Sequence, residues 1–237
     1  MNINIVLMII INIGLPKTMT TMLHRYINNY TDITTIFSGE FTVQTALEYD
    51  YNKLKKDKNY YMKNPTMIIN QVELTKIIQK IKKSGHQVKL ILGIRDMLNQ
   101  IISLCNHWNN AKHARHLLYE GEEHIHYKEI YNKIMVKFYT NIDSKIKFLK
   151  NYDSVVYNLE HCNMTLSNFL NQLFKSLAIK VNININIPDI NMNISNYSIS
   201  HHEDIKNLKE NIDNFNLIEE QFNKVFKNIS ICHIRQF

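Results

Sequence analysis

Aliphatic runs alternate with segments of helical periodicity along most of the chain. The first run predicts a strand over residues 2–13, in which nearly every residue from Ile5 on is aliphatic, as in a parallel strand that is covered on both faces. Similar apolar runs predict strands at residues 33–37, 87–94 and 154–160. A strand, a helix and a strand in this order form a right-handed crossover unit. The pattern therefore predicts an α/β fold in which helices flank a central, mostly parallel sheet.

The predicted helices carry apolar residues three and four positions apart, which gives each of them one buried stripe. Gly85 is expected to end one of them as a left-handed cap. Residues 181–196 alternate Asn and Ile around Pro188 and are interpreted as a loop or an edge segment. The amphipathic segment 203–228 is expected to dock on the domain. The other helices are predicted at residues 18–29, 71–83, 127–149 and 165–177, with one more after residue 96.

The length of 237 residues and the hydrophobic fraction of 45% fit one α/β domain with a sizeable core. We expect a single domain over residues 1–237, in which residues 180–237 form a C-terminal loop and the docking helix. Cys105, Cys162 and Cys232 lack paired spacing, which favours a reducing compartment. The first apolar run is too short to span a bilayer and lacks a cleavage site of small residues, so a cytoplasmic location is expected.

The formal charge of +7 and the pI near 9.1 favour an anionic partner. A nucleotide, an acidic glycan, a membrane surface and a nucleic acid all fit that charge. The sequence has neither an arginine-rich arm nor zinc-finger spacing, which disfavours nucleic acid. The choice among the other partners depends on two short motifs.

The first motif lies where the opening apolar run breaks at Gly14 and Pro16 and restarts as a helix. A tight turn between a strand and a helix directs backbone N–H groups and the positive end of the helix dipole at one point, which suits a phosphate or a sulfate. Lys17 adds a mobile cation, and Thr20 and Thr21 add hydroxyl donors. The order differs from a Walker A loop, Gly-x-x-x-x-Gly-Lys-Ser/Thr, because Gly14 is the only glycine upstream of Lys17. This stretch is therefore predicted to bind an anion.

The second motif follows the strand predicted at residues 87–94. Arg95 comes directly after that strand, and Ser103 lies eight positions further on. In a helix, eight positions correspond to about two turns. A guanidinium and a hydroxyl that converge from a strand end and a helix can hold one phosphate, to which the Arg donates two parallel hydrogen bonds. Both motifs are expected at the carboxyl edge of the sheet, where α/β proteins bind ligands.

Both motifs resemble the donor-binding motifs of the sulfotransferase family. The order Gly-x-Pro-Lys-x-x-Thr-Thr is similar to that family's 5′-phosphosulfate loop, Pro-Lys-x-Gly-Thr-Thr, with Met19 at the position of the usual Gly. Arg95, Asp96 and Ser103 are similar to its 3′-phosphate motif, in which an Arg at a strand end is followed by a Ser eight positions later. Met97 stands where that motif usually has Pro.

The resemblance implies a P-loop-like three-layer fold and an enzyme that uses 3′-phosphoadenosine 5′-phosphosulfate (PAPS) and releases adenosine 3′,5′-bisphosphate (PAP). It implies that Lys17 is catalytic, that Arg95 and Ser103 bind the 3′-phosphate, and that no metal ion takes part. The residues that it assigns to the 5′ end of the donor are Gly14, Pro16, Lys17, Thr18, Met19, Thr20 and Thr21.

The resemblance also implies candidates for the acceptor side. Glycan-modifying members carry a catalytic Glu shortly after their second strand, and Glu40 matches its position here. Residues 57–65 resemble a Glu-Lys-Ser/Thr-Pro-x-Tyr stretch that lies between the two donor motifs, and the alternative interpretation is a loop rich in Lys and Tyr. The segment after the Arg–Ser helix contributes to the acceptor cleft in this family. Trp108, His113 and His116 are therefore the candidate acceptor-binding residues.

A carbohydrate is the expected acceptor, because no catalytic His follows a Lys-Thr element as it does in the cytosolic aryl enzymes of the family. Two alternatives remain open. One is a nucleotide kinase with a degenerate phosphate loop, which would bind ATP and Mg²⁺. The other is a non-catalytic relative that only binds a nucleotide or a glycan, which Met19 permits.

Overall fold

Six strands form one sheet in the computed structural model, which describes residues 7–14, 18, 20–37, 41–64, 67–110, 136–159, 164–178, 210, 215–226, 229 and 231–233. The strands are β1 Met8–Asn12, β2 Thr34–Thr35, β3 Tyr60–Lys63, β4 Gln87–Ile94, β5 Asp153–Asn158 and β6 Ile231–His233. Their order across the sheet is β2-β3-β1-β4-β5-β6. The first five strands are parallel, and β6 runs antiparallel to β5.

Some helices of the described residues begin or end at clear local signals. Thr42 and Thr165 accept a hydrogen bond from the backbone N–H three residues further on, and so cap the two helices that follow them. Gly85 has a φ of 87° and ends another helix in the left-handed conformation that the sequence predicts. The helices are α1 Thr20–Tyr30, α2 Val43–Glu48, α3 Gln71–Lys83, α4 Met97–Asn110, α5 Val136–Tyr139, α6 Ile142–Lys150, α7 Leu166–Ser176 and α8 Phe215–Phe226.

The helices cover both faces of the sheet, because successive side chains of a strand point to opposite faces. Ile9 and Ile11 of β1 belong to one apolar core with residues of α3, α4, α6 and α8. Met8 and Ile10 belong to a second core with residues of α1 and α7. All of β1 is buried, which explains the apolar sequence of its first four residues, Met8 to Ile11. The predicted α/β fold, with helices on both faces of a mostly parallel sheet, is confirmed.

The segment interpreted alternatively as a loop rich in Lys and Tyr contains a central strand. Residues 60–63 of β3 are all buried and pair with β1 on one side and β2 on the other. The loop interpretation is therefore wrong for these residues. A strand of only four residues gives a weak alternation signal. Because its last residue, Lys63, is charged, the sequence pattern does not indicate that this residue is buried.

The long helix predicted at residues 127–149 is broken where the structure describes it, from residue 136 on. Asn141 has a left-handed φ of 56° between α5 and α6, which ends the first helix and restarts the second. The buried ammonium of Lys145 donates to the carbonyl of Thr140 at 2.6 Å, and burial lowers the pKa of this amine to about 8. Residues 127–135 lie outside the described residues.

The expected docking of the C-terminal helix is confirmed over α8. Phe215, Phe222 and Phe226 are almost fully buried in the core that contains α3 and α4. Within the part of the chain that the structure describes, no helix combines the length and the apolar character that crossing a membrane requires. The segment at residues 181–196 lies outside that part.

We expect a buried histidine to make the fold less stable in mild acid. His86 is 3% exposed at the entry to β4, with its Nδ1 3.0 Å from the Ser84 hydroxyl. Burial first, and then the charge of Lys56, lowers the pKa of His86 below its ordinary value of 6.5. The unfolded chain then binds a proton that the folded chain does not bind. The free energy of unfolding therefore falls as the pH drops below that ordinary value.

Urea denaturation at about pH 8 and about pH 5.5 measures this loss. The variant His86→Asn removes the titratable group and keeps a polar partner for Ser84. It should lose less stability between the two pH values than the wild-type protein does. Equal losses in the two proteins would show that His86 is not responsible.

Candidate functional site

The order of the strands places a topological switch point between the ends of β1 and β4, where open parallel sheets form a crevice. The chain leaves β1 towards β2 on one side of the sheet, whereas it leaves β4 towards β5 on the other side. In open parallel sheets, ligands bind at such a switch point, outside the carboxyl ends of the strands. The loop after β1 and the residues after β4 flank this point. These are the two segments in which the sequence predicts anion-binding motifs.

The loop after β1 starts in direct backbone contact with β4. The N–H of Ile13 donates to the carbonyl of Ile91 at 2.9 Å, which extends the pairing of the two strands. One residue later, Gly14 packs so closely that a Cβ on it would lie 2.7 Å from the backbone nitrogen of Gly93. Only a glycine fits there without displacing the backbone of β4.

Further along the same loop, Thr18 packs against β4 and β5. The Tyr157 hydroxyl, which is fully buried, donates a hydrogen bond to the carbonyl of Thr18. A Cβ on Gly93 would lie 2.5 Å from that Tyr157 hydroxyl oxygen and 2.7 Å from Oγ1 of Thr18. The glycine thus leaves the space in which the loop and the tyrosine meet. Thr18 thus contacts β4 at Gly93, which lies two positions before Arg95. Two positions along a strand correspond to a distance of about 7 Å.

Asn12 fixes the point at which β1 turns into the loop. Its side-chain oxygen accepts from the N–H of Gly14 at 3.1 Å, and its Nδ2 donates to the Tyr61 hydroxyl at 3.0 Å. The carbonyl of Asn12 accepts from the N–H of Asn64 at 2.9 Å. Burial raises the pKa of Tyr61 above its ordinary value, so that its hydroxyl stays neutral. The side chain of Asn12 thereby joins the loop to the neighbouring strand.

Lys63 at the end of β3 is a site residue that the sequence analysis did not single out. It is 5% exposed, and its Nζ donates to the Thr21 hydroxyl in the first turn of α1 at 3.2 Å. Thr18 and Thr20 are buried beside this turn, whereas Thr21 is exposed. A lysine that directly follows the large apolar side chains Tyr60, Tyr61 and Met62 is the signal that indicates this position in retrospect.

The charges near the start of α1 favour an anion. The N-terminus of a helix carries a positive partial charge, and the ammonium of Lys63 lies next to it. Arg95, at the end of β4, is a second largely buried cation, with 9% exposure. The positive charge of the helix end and of these two side chains favours a phosphate or a sulfate as the ligand of this edge.

The end of β4 is held by a network around Arg95. The Tyr139 hydroxyl lies 3.2 Å from the carbonyl of Arg95 and 2.5 Å from Oε1 of the buried Gln100. Asp96 accepts from the N–H of Asn99 at 3.0 Å and so caps the first turn of α4. The backbone that carries Arg95 is therefore fixed from the strand, from the helix and from Tyr139.

The predicted site residues that the structure describes lie on this edge or on the helix that follows it. Gly14, Thr18, Thr20 and Thr21 belong to the loop after β1 and to the start of α1, and Arg95 follows β4. Ser103 is half-buried in the second turn of α4. Trp108 belongs to α4, but its side chain falls outside the described residues. The positions that also fall outside them are Pro16, Lys17, Met19, Glu40, His113 and His116.

Comparison with known proteins assigns no family to this arrangement: no protein-family model and no curated protein matches the chain. The residues of the site themselves are therefore the basis for its function. They place the loop that the sequence predicts to bind an anion and the largely buried Arg95 on the two strands that flank the switch point. This arrangement suits a ligand with two separated negative groups.

We expect the variant Gly14→Ala to be destabilised, because the new methyl group meets the backbone nitrogen of Gly93 at 2.7 Å. Overpacking of this kind costs about 1–3 kcal/mol of unfolding free energy. Urea denaturation measures the change. The matched control is Gly85→Asn, since Gly85 has a φ of 87° with open space around it and Asn tolerates that conformation. The control should lose less than about 1 kcal/mol, and equal losses in both variants would disprove the tight contact.

Proposed function

We propose that this protein is a sulfotransferase that transfers a sulfuryl group from PAPS to a hydroxyl group of a carbohydrate. The observation that carries the proposal is the meeting of two motifs at the switch point, where Gly14 lies against Gly93 and Arg95 follows β4. PAPS carries a phosphosulfate on its 5′ side and a phosphate on its 3′ side. The two sides of the crevice offer a partner for each of these groups.

The loop after β1 is assigned to the phosphosulfate. Backbone N–H groups at the start of α1 and the Thr20 and Thr21 hydroxyls bind its oxygens. The ammonium of Lys63 lies 3.2 Å from the Thr21 hydroxyl, so it adds positive charge close to that group. Arg95 and Ser103 are assigned to the 3′-phosphate, which fixes the other side of the donor.

The proposed reaction is an in-line displacement at sulfur. The acceptor oxygen forms a bond to sulfur while the bond between sulfur and the bridging oxygen breaks, and that oxygen leaves as part of PAP. Negative charge develops on the bridging oxygen, and the ammonium of Lys17 is assigned to stabilise it. Glu40 is assigned to remove the proton of the acceptor hydroxyl. Trp108, His113 and His116 are assigned to the acceptor, where aromatic rings suit sugar faces.

We expect PAP to bind without Mg²⁺ and the variant Arg95→Ala to bind it at least about tenfold more weakly, because the charged contact with the 3′-phosphate is lost. Isothermal titration calorimetry measures both affinities. The matched control is Arg25→Ala, which removes an exposed guanidinium from the middle of α1. It should bind PAP like the wild-type protein. Tighter binding of ATP with Mg²⁺ than of PAP would favour a nucleotide kinase instead.

We expect the transfer of radiolabelled sulfate from PAPS to a panel of glycans and phenols to fall by at least about a hundredfold in Lys17→Ala, since charge on the leaving oxygen is then uncompensated.

Glu40→Gln should lower the turnover number by a similar factor while PAP binding stays unchanged, because the carboxylate acts on the acceptor. A wild-type protein that binds PAP but transfers no sulfate to any acceptor would identify a non-catalytic binder.

A further inference from the structure

Two buried tyrosines hold the backbone on the two sides of the crevice. Tyr157 donates to the carbonyl of Thr18 in the loop, and the Tyr139 hydroxyl lies 3.2 Å from the carbonyl of Arg95. We propose that both are positioning residues, which do not touch the ligand and separately set the 5′ and 3′ anion sites. This inference rests on the proposed function, since it divides the donor site into two independently supported halves.

Tyr157 sets the direction of one peptide unit in the loop. A planar trans peptide unit directs its carbonyl and its N–H to opposite sides. Because the carbonyl of Thr18 accepts from Tyr157, the side to which this peptide unit can donate is fixed as well. An anion-binding loop depends on the direction of its N–H groups, so a turned peptide unit would present a carbonyl to the anion instead.

The position of the Tyr157 hydroxyl is itself rigid. The ring belongs to the apolar core on the side of α1 and α7, and its centroid lies 5.1 Å from that of Phe169 in an edge-on contact. Gly93 is paired with Tyr157 in the sheet and leaves space for the hydroxyl to reach Thr18. A buried hydroxyl needs a partner, and the carbonyl of Thr18 is one that this geometry supplies.

Tyr139 supports the other half from the opposite face of the sheet. Its ring lies between Phe138 and Phe222, with centroid distances of 5.0 Å and 4.8 Å. Its hydroxyl also lies 2.5 Å from Oε1 of Gln100, which belongs to the first turns of α4. The tyrosine therefore links the end of β4 to the start of α4, between which Arg95 lies. The two tyrosines belong to different apolar cores, so each can be altered without touching the other.

The variants Tyr157→Phe and Tyr139→Phe keep the rings and remove only the hydroxyls. Calorimetric titration with adenosine 5′-monophosphate reports on the 5′ site, adenosine 3′-monophosphate reports on the 3′ site, and PAP reports on both. We expect Tyr157→Phe to bind the 5′-monophosphate about five- to tenfold more weakly and the 3′-monophosphate like the wild-type protein. Tyr139→Phe should show the reverse. Normal binding of one ligand also demonstrates that each variant is folded.

A change that affects both monophosphates equally would overturn the inference, because it would indicate a general loss of structure. Unchanged affinity for both ligands in both variants would overturn it as well. These results differ from failure of the proposed function, in which the wild-type protein itself does not bind PAP. In that case the two-site division fails together with the function on which it rests.

Discussion

The close contact between the backbones at Gly14 and Gly93 is the constraint on which the site depends. It brings the loop after β1 onto β4, so that the start of α1 and the residue after β4 share one crevice. A side chain at either position would push the loop away from the sheet. Both glycines therefore support the proposed donor site through the close packing that the absence of a side chain allows.

The electrostatics of the crevice follow from the same packing. Lys63 ends β3 and Arg95 follows β4, the two strands on either side of β1. Both side chains are therefore largely removed from water although they lie at the carboxyl edge of the sheet. Burial of such groups costs desolvation free energy, which favourable contacts have to offset. Binding a doubly charged ligand would offset that cost. A ligand that binds only the folded chain would then stabilise it by an amount that grows with the logarithm of the ligand concentration.

The sequence predicted those elements that carry strong local signals. α3 and β4 occur at the predicted residues, because a clear apolar stripe, a capping glycine and a mostly aliphatic run mark them. β3 was not recognised, since its burial comes from its place between β1 and β2 rather than from its four residues. The break at Asn141 depends on one backbone conformation that helical periodicity does not reveal. The contacts of Lys63 and Tyr157 are long-range, and no short motif encodes them.

The short antiparallel strand β6 covers β5 along one margin of the sheet, with Val155 opposite His233. At the other margin, β2 contributes only two paired residues, Thr34 and Thr35. Unpaired margins of sheets are templates on which further chains assemble into fibrils. Over the described residues, this protein exposes little template of that kind. Short edge strands thereby limit self-association through this sheet.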